Sequence, residues 1–329
     1  MSRNTFRPGF KSEGAWITNN MAAILNGRNC FARARRKRFW TVGVRNVANT
    51  TQTASQYCMN LVRNLDYENY LCLLLLPKIC RTSVFAVRAF NVELARVQDS
   101  VSDPVIGRMR LQFWRDTLED TFLGNPPQQP VALELAEAVT KFKLTKRWFS
   151  RLIDARERSL DNRPHETANA LEEHSENSVS PVLYLVLECL GIRDVQADHA
   201  ASHLGKAIGV ATALRSTPFH GSKGKVYLPN DILIKHGVSH EDIIRGRKQQ
   251  PVKEVTYELA SLAHAHLSKA QTLISDAPKP ASRAFLPMVS CRTYLTQIQK
   301  VDFDIFHPTL RERNHLLPLL LLKHAWTGL

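Results

Sequence analysis

The sequence predicts an all-α fold, and three observations carry that expectation. From about residue 55 onward, apolar residues recur at three- to four-residue steps, as at Val84, Val87, Phe90 and Leu94, the period of a helix that buries one stripe. Alternating strand patterns with hairpin turns are nearly absent, and residues 225–228 (KVYL), ahead of Pro229, are the one plausible extended piece. The breaks between helical stretches are short. No Pro/Gly/Ser linker and no repeat of fixed period divides the chain, so a single helical domain is expected over residues 55–329.

The elements follow in order. A first helix is expected over residues 57–76, ended by Pro77, and a second over 79–99, ended ahead of Ser102, Asp103 and Pro104. Residues 105–122 run into the break Gly124-Asn-Pro-Pro127, and 130–142 end at Lys143. Residues 145–161 open on a Thr145 cap and stop before Pro164, and a short acidic helix follows at 165–176. Residues 180–190 carry Pro181 in the first turn and Gly191 just past the end, the usual asymmetry of helix termini. Helices over 195–215, 252–275, 280–299 and 313–326 complete the bundle.

Composition excludes several classes. With 44% apolar and 22% charged residues, the chain can build a sizeable core and is not a disordered polyelectrolyte. The formal charge is +14, unevenly placed: residues 1–50 hold ten Lys or Arg against the single Glu13, a net +9. A basic arm for nucleic acid would use such charge to displace counterions. A secretory signal needs an apolar stretch of about 7–15 residues, and the longest here is residues 21–25 (MAAIL). An Arg-rich, acid-poor segment able to gather Ala23, Leu25, Phe31, Ala32 and Phe39 on one helix side fits a mitochondrial presequence. Residues 1–50 are read as that presequence, cleaved on import, and no nucleic-acid partner is expected.

The cysteines Cys30, Cys58, Cys72, Cys80, Cys189 and Cys291 form no CxxC pair and read as reduced thiols, Cys72 and Cys189 clearly buried. No apolar run approaches the about 18 residues of a membrane span. Of the longest, residues 71–77 and 316–322, the second is read first as core packing and second as part of a membrane contact.

P-loop, dinucleotide-fold and nucleophile-elbow glycine signatures are absent. Residues 221–225 (GSKGK) suit a phosphate but taken alone read more readily as a flexible basic loop. His199 and His203 stand at i, i+4 without a third zinc ligand, and His264 and His266 point to different faces, so all four read as structural. Asp99 and Asp103 are also i, i+4. Two carboxylates side by side on a helix invite Mg²⁺, but Asp103 precedes Pro104, and the plainer reading is a helix end followed by an N-cap.

Residues 84–90 (VFAVRAF), 106–118 (IGRMRLQFWRDTL), 204–215 (LGKAIGVATALR) and 224–229 (GKVYLP) resemble, in order and spacing, the squalene/phytoene synthase family over most of residues 60–325. Residues 85–99 and 301–308 look like the branch of that family that serves assembly of mitochondrial respiratory complex I. The resemblance implies an isoprenoid-synthase helical bundle with a central cavity. It also implies two aspartate-rich motifs on facing helices, because several Mg²⁺ ions must neutralise a leaving pyrophosphate. Counted without a gap, the first motif falls on Ala95, Arg96 and Asp99; with one turn inserted, on Asp99 and Asp103. The second places Gly209 for a glutamine, Thr212 for an asparagine, Arg215 as itself, and Ser216 and His220 for the two aspartates, while Gly224, Tyr227, Leu228 and Pro229 keep the frame. Pro218 is expected to stop this helix near residues 216–217. The carboxylates being absent, the implied role is binding without catalysis, metal or cofactor: to complex I subunits or other assembly factors, at the matrix face of the mitochondrial inner membrane, with a lipid or isoprenoid as a possible cavity occupant. A residual prenyltransferase or a lipid carrier is the alternative.

Overall fold

The computed structural model describes residues 52–101 and 103–327; the expected presequence, residues 1–50, lies outside them. Among the described residues the fold is helical throughout, with no strand. The helices are α1 (Ala54–Leu65), α2 (Tyr67–Leu74), α3 (Lys78–Ser100), α4 (Pro104–Phe122), α5 (Pro130–Phe142), α6 (Lys146–Arg158) and α7 (Ala168–Ser178). After them come α8 (Ser180–Cys189), α9 (Val195–Gly221), α10 (Asn230–Lys235), α11 (His240–Ile244), α12 (Gln250–Asp276), α13 (Pro287–Lys300) and α14 (Leu317–Thr327). Single 3₁₀ segments occupy Ser159–Asp161, Lys279–Phe285 and Pro308–Arg311.

Local chemistry sets several ends that periodicity leaves open. Thr53 and Gln56 form a capping box that starts α1. The expected helix over residues 57–76 breaks at Asp66, whose backbone leaves the helical region. There the Asp66 carboxylate accepts from Asn69 Nδ2 at 2.7 Å and faces Arg88 of α3 at 3.6 Å, so a tertiary partner fixes the kink. Asp103 caps α4 by accepting from the Val105 amide at 2.8 Å.

Helices α3 and α9 form the frame of the interior. Residues 83–90 of α3 are buried on all sides rather than along one stripe: the helix packs on α1, α5 and α8, and Phe90 stands edge-on to Trp114 of α4 and to Phe149 of α6 at 5.5 Å each. Helix α9 runs against α12 along its length and against α7 and α8 on its other side, using Ala197, Ala200, Ala201, Ala207 and Ala211. Its glycines permit the closest crossings: a Cβ on Gly205 would lie 2.1 Å from Ser180 Oγ, and one on Gly209 2.2 Å from Ser175 Oγ. All five described cysteines are buried and free, as the spacing implies.

Two expectations change. Helix α9 does not stop at residues 216–217 but continues through Pro218 to Gly221. A proline removes one intrahelical donor, and here the hydroxyls of Ser216 and Thr217 turn back to the Ala213 carbonyl at 3.2 and 2.8 Å while the Ser222 amide closes the last turn on Pro218. Residues 316–322 are not mainly core: only Leu317 and Leu321 are buried, in a small cluster with Cys72, Leu286 and Val289, while Leu316, Leu319 and Leu322 are exposed. No helix among the described residues is long and apolar enough to cross a membrane.

Candidate functional site: the chamber between α3 and α9

Asp99 stands in the last turn of α3, on the same side as Asn91 and Ala95. Its charge acts on Arg156 of α6, on His220 of α9 and on Tyr227, so these groups share one chamber. The neighbouring Gln98 fixes the geometry by donating to the Ser159 carbonyl at 2.9 Å, to Asn162 Oδ1 at 3.0 Å and to the Tyr227 hydroxyl at 3.2 Å. Asn162 Oδ1 also accepts from Tyr227 at 2.7 Å and from Lys225 Nζ at 2.9 Å. Asn162 itself sits at φ 54°, a left-handed position that asparagine tolerates. This network ties the end of α3, the turn after α6 and the segment after α9 together.

The chamber's electrostatics hold its imidazoles neutral. Burial drives the His220 imidazole down to about 4, reinforced by Lys223 and Lys225 and only partly opposed by Asp99. Its ring stands edge-on to Tyr227, 4.8 Å between centroids. Burial, then Arg156, holds His174 down to about 3. Burial pushes the Tyr227 phenol up to about 12, with Asp99 adding to it. Burial also lowers the Arg156 guanidinium, Asp99 working the other way; its Nε is buried without a hydrogen-bond partner, and its Nη2 reaches Asn91 only at 3.5 Å.

The remaining sequence-predicted residues divide. Ser216 and His220 lie one turn apart on the continuous α9. Thr212 and Arg215 are exposed between the buried Ala211 and Leu214; Arg215 lies deep among protein atoms yet keeps 47% of its side chain open, with Glu68 Oε2 3.0 Å away. Gly209 contributes no polar group, since it is the crossing with Ser175. Arg96 points away from Asp99 and pairs with Glu93 at 3.4 Å. Asp103 lies off α3, as the cap of α4, so the i, i+4 pair with Asp99 does not share a helix. His203 meets His266 of α12 rather than His199, Nδ1 to Nδ1 at 2.9 Å, and His266 Nε2 meets Glu172 at 2.8 Å. Among the described residues no three His, Cys, Asp or Glu side chains come together in a form that could hold a metal ion. Sequence reasoning missed Gln98, Arg156, Asn162 and His174. Only Asn162, just before Arg163-Pro164, carried a local signal, that of a turn.

A profile of the squalene/phytoene synthase family matches residues 62–319, which takes in every residue of this chamber. The chain belongs to the squalene/phytoene synthase family. Within the family it is 54% identical over 270 residues to NADH dehydrogenase (ubiquinone) complex I, assembly factor 6, of Homo sapiens, covering 82% of this chain and 81% of that one. With the protein of the same name from Bos taurus it shares 50% over 303 residues, 91% of each chain. Among solved structures, the squalene synthase of Alicyclobacillus acidocaldarius superposes with a TM-score of 0.69 at 22% identity, over 76% of this chain and 94% of that one. At that identity the likeness establishes the squalene/phytoene synthase fold alone.

Proposed function

We propose that this chain serves the assembly of mitochondrial respiratory complex I, in biogenesis of its membrane arm, by binding complex I subunits or other assembly factors and not by catalysis. The observation that carries the reading is the 54% identity, over 82% of the chain, to a human protein whose name states that role. The same likeness supports a mitochondrial location, and we place the protein on the matrix side of the inner membrane, peripheral to it. The chamber supports binding over catalysis. Ionising a prenyl diphosphate calls for several Mg²⁺ ions, each held by charged oxygens. The positions that correspond to the family's aspartates hold Ala95, Ser216 and His220, and the carboxylate that remains, Asp99, acts electrostatically on Arg156. A neutral imidazole and a hydroxyl do not displace the tightly held water of Mg²⁺.

The test is removal of the protein from cells, followed by measurement of assembled complex I and of the synthesis of its mitochondrially encoded subunits. Loss of both, restored by re-expression, is expected; no change in either refutes the assembly role. Incubation of the purified protein with farnesyl diphosphate and Mg²⁺ tests the rest: pyrophosphate release abolished by Asp99→Ala refutes the non-catalytic role. A second reading, a carrier that holds an anionic isoprenoid or lipid without turning it over, draws on the unpartnered Arg156 Nε and the open Arg215. Native mass spectrometry of gently purified protein decides it by the presence of a stoichiometric ligand.

A further inference from the structure

On a face of α3 turned away from the Asn91, Ala95 and Asp99 stripe, a groove of about 570 Å³ runs between α4 and the α1–α3 pair. Its α3 wall is Glu93, Arg96, Val97 and Ser100, half a helical turn from the Asn91, Ala95 and Asp99 stripe, so it is not the chamber of the synthase fold. The α4 wall is Ile106, Met109, Phe113 and Trp114. Trp114 is core, but Met109 is 68% exposed, Phe113 50% and Ile106 46%. We infer that this groove docks an amphipathic α-helix of a partner protein, one with an acidic side chain beside its apolar stripe. The inference rests on the binding role proposed above and gives it a surface.

Three observations select that occupant. The apolar wall has the right length: Ile106, Met109 and Phe113, at i, i+3 and i+7 of α4, form one ridge about 10 Å long, which two turns of a helix laid against it would cover. The composition is that of an interface core, aromatic and Met side chains with Arg at the edge, and Met adapts to its partner's shape. The charge is incomplete. Arg96 is engaged by Glu93, which also meets the Tyr57 hydroxyl at 3.4 Å. Arg110 donates to the Ser100 hydroxyl at 2.6 Å and, among the described residues, has no carboxylate within ion-pair reach. An acid from the partner completes it. A single acyl chain fits less well, because a thin chain leaves walls this open half in water, whereas a helix roughly 10 Å wide covers both.

The experiment uses the full-length chain re-expressed in cells that lack it. Met109→Asp and Phe113→Asp change exposed side chains, and Arg110→Glu reverses the rim charge. Each is expected to restore less than about a tenth of the complex I that the wild type restores, at equal protein level and unchanged melting temperature. Ile234→Asp, at an even more exposed position on α10, restores it fully. Wild-type levels of complex I with all three groove variants overturn the groove and leave the assembly role standing; failure of the wild type itself overturns both. A photo-crosslinking residue at 113 identifies the occupant. An adduct with a helix of a complex I subunit or assembly factor, reduced at least about fivefold by Arg110→Glu, supports the inference. An adduct with lipid, a second copy or residues 1–51 of this chain overturns it.

Discussion

Replacing Gly209 by alanine separates two opposing effects in α9. In an exposed helix the change stabilises by about 1 kcal/mol, because glycine is the poorer helix former. Here the new Cβ would lie 2.2 Å from Ser175 Oγ, 2.3 Å from Ser175 Cβ and 3.0 Å from Ser175 Cα, all far inside carbon contact distance. The nearer two atoms define the direction of the Ser175 side chain and the third is backbone, so no rotamer relieves the clash and α7 must move off α9. Overpacking of that kind costs about 1–3 kcal/mol, and a rigid crossing belongs at the top of the range. The net expectation is a loss of about 2 kcal/mol, or roughly 4–8 °C in melting temperature. Thermal and urea unfolding of the purified protein measure it. Gly209→Ala combined with Ser175→Gly, which removes Oγ and Cβ, should recover at least about 1 kcal/mol in a double-mutant cycle; combined with Ser175→Ala, which leaves the 2.3 Å contact, it should recover little. A Gly209→Ala protein more stable than wild type would refute the close crossing, and with it the account of why this position carries no polar side chain.

Stability should fall on acidification. His174 and His220 are held neutral in the fold, near 3 and 4, whereas an unfolded histidine takes up a proton near 6.5. The unfolded chain thus binds more protons in that window, so their contribution is whole above about pH 6.5 and is lost as pH falls toward the folded values. Melting temperature against pH checks this, and a slope between pH 6.5 and 4 unaltered in His174→Asn/His220→Asn contradicts it. Burial pushes the thiols of Cys58, Cys72 and Cys291 up to about 12 and raises those of Cys80 and Cys189. A chromogenic disulfide should therefore titrate at most one of the six thiols, Cys30, in the native full chain and all six in denaturant; two or more fast native thiols contradict the burial. On α14, Leu321→Ala should lower stability by about 2–4 kcal/mol while the exposed Leu319→Ala stays within about 0.5, read by urea unfolding. Equal effects would mean that the helix is seated differently.

Long helices were legible because periodicity and breakers agree over many residues. Pro77, Pro104 and the Gly124–Pro127 break mark the ends of α2, α3 and α4 to within a few residues. What escaped depends on partners distant in sequence. Asp66 reads as an ordinary helical residue until Arg88 comes to lie beside it. The stretch over residues 280–299 splits into a 3₁₀ segment and α13, and two short helices, α10 and α11, fill the span between α9 and α12, where a few residues give periodicity too little length to register. Pro218 misled in the other direction: one lost donor does not end a helix whose other turns are held by packing against α12 and by hydroxyls that turn back on the backbone.

The chamber was legible as positions but not as a set of contacts. Nothing local says that the field of Asp99 reaches Arg156, yet that influence gives Asp99 a place independent of metal chemistry. The guanidinium of Arg156 has a buried, unpartnered Nε and a long contact to Asn91, and Asp99 opposes the effect of its burial without closing an ion pair. Removing that charge takes away the carboxylate that works against the burial of the Arg156 guanidinium. The same field opposes Mg²⁺: Arg156, Lys223 and Lys225 act on the chamber, and Asp99 alone opposes them. Restoring one carboxylate, as in Ser216→Asp, would therefore be expected to draw in a resident cation before it recruits a metal. Two restored together, Ser216→Asp with His220→Asp, stand one turn apart on the unbroken α9 and form the smallest change with the geometry to hold an ion. Isothermal titration with Mg²⁺ distinguishes these outcomes. Binding by the single variant as tight as by the double would refute the view that the surrounding cations, and not helix geometry, oppose Mg²⁺ at these positions.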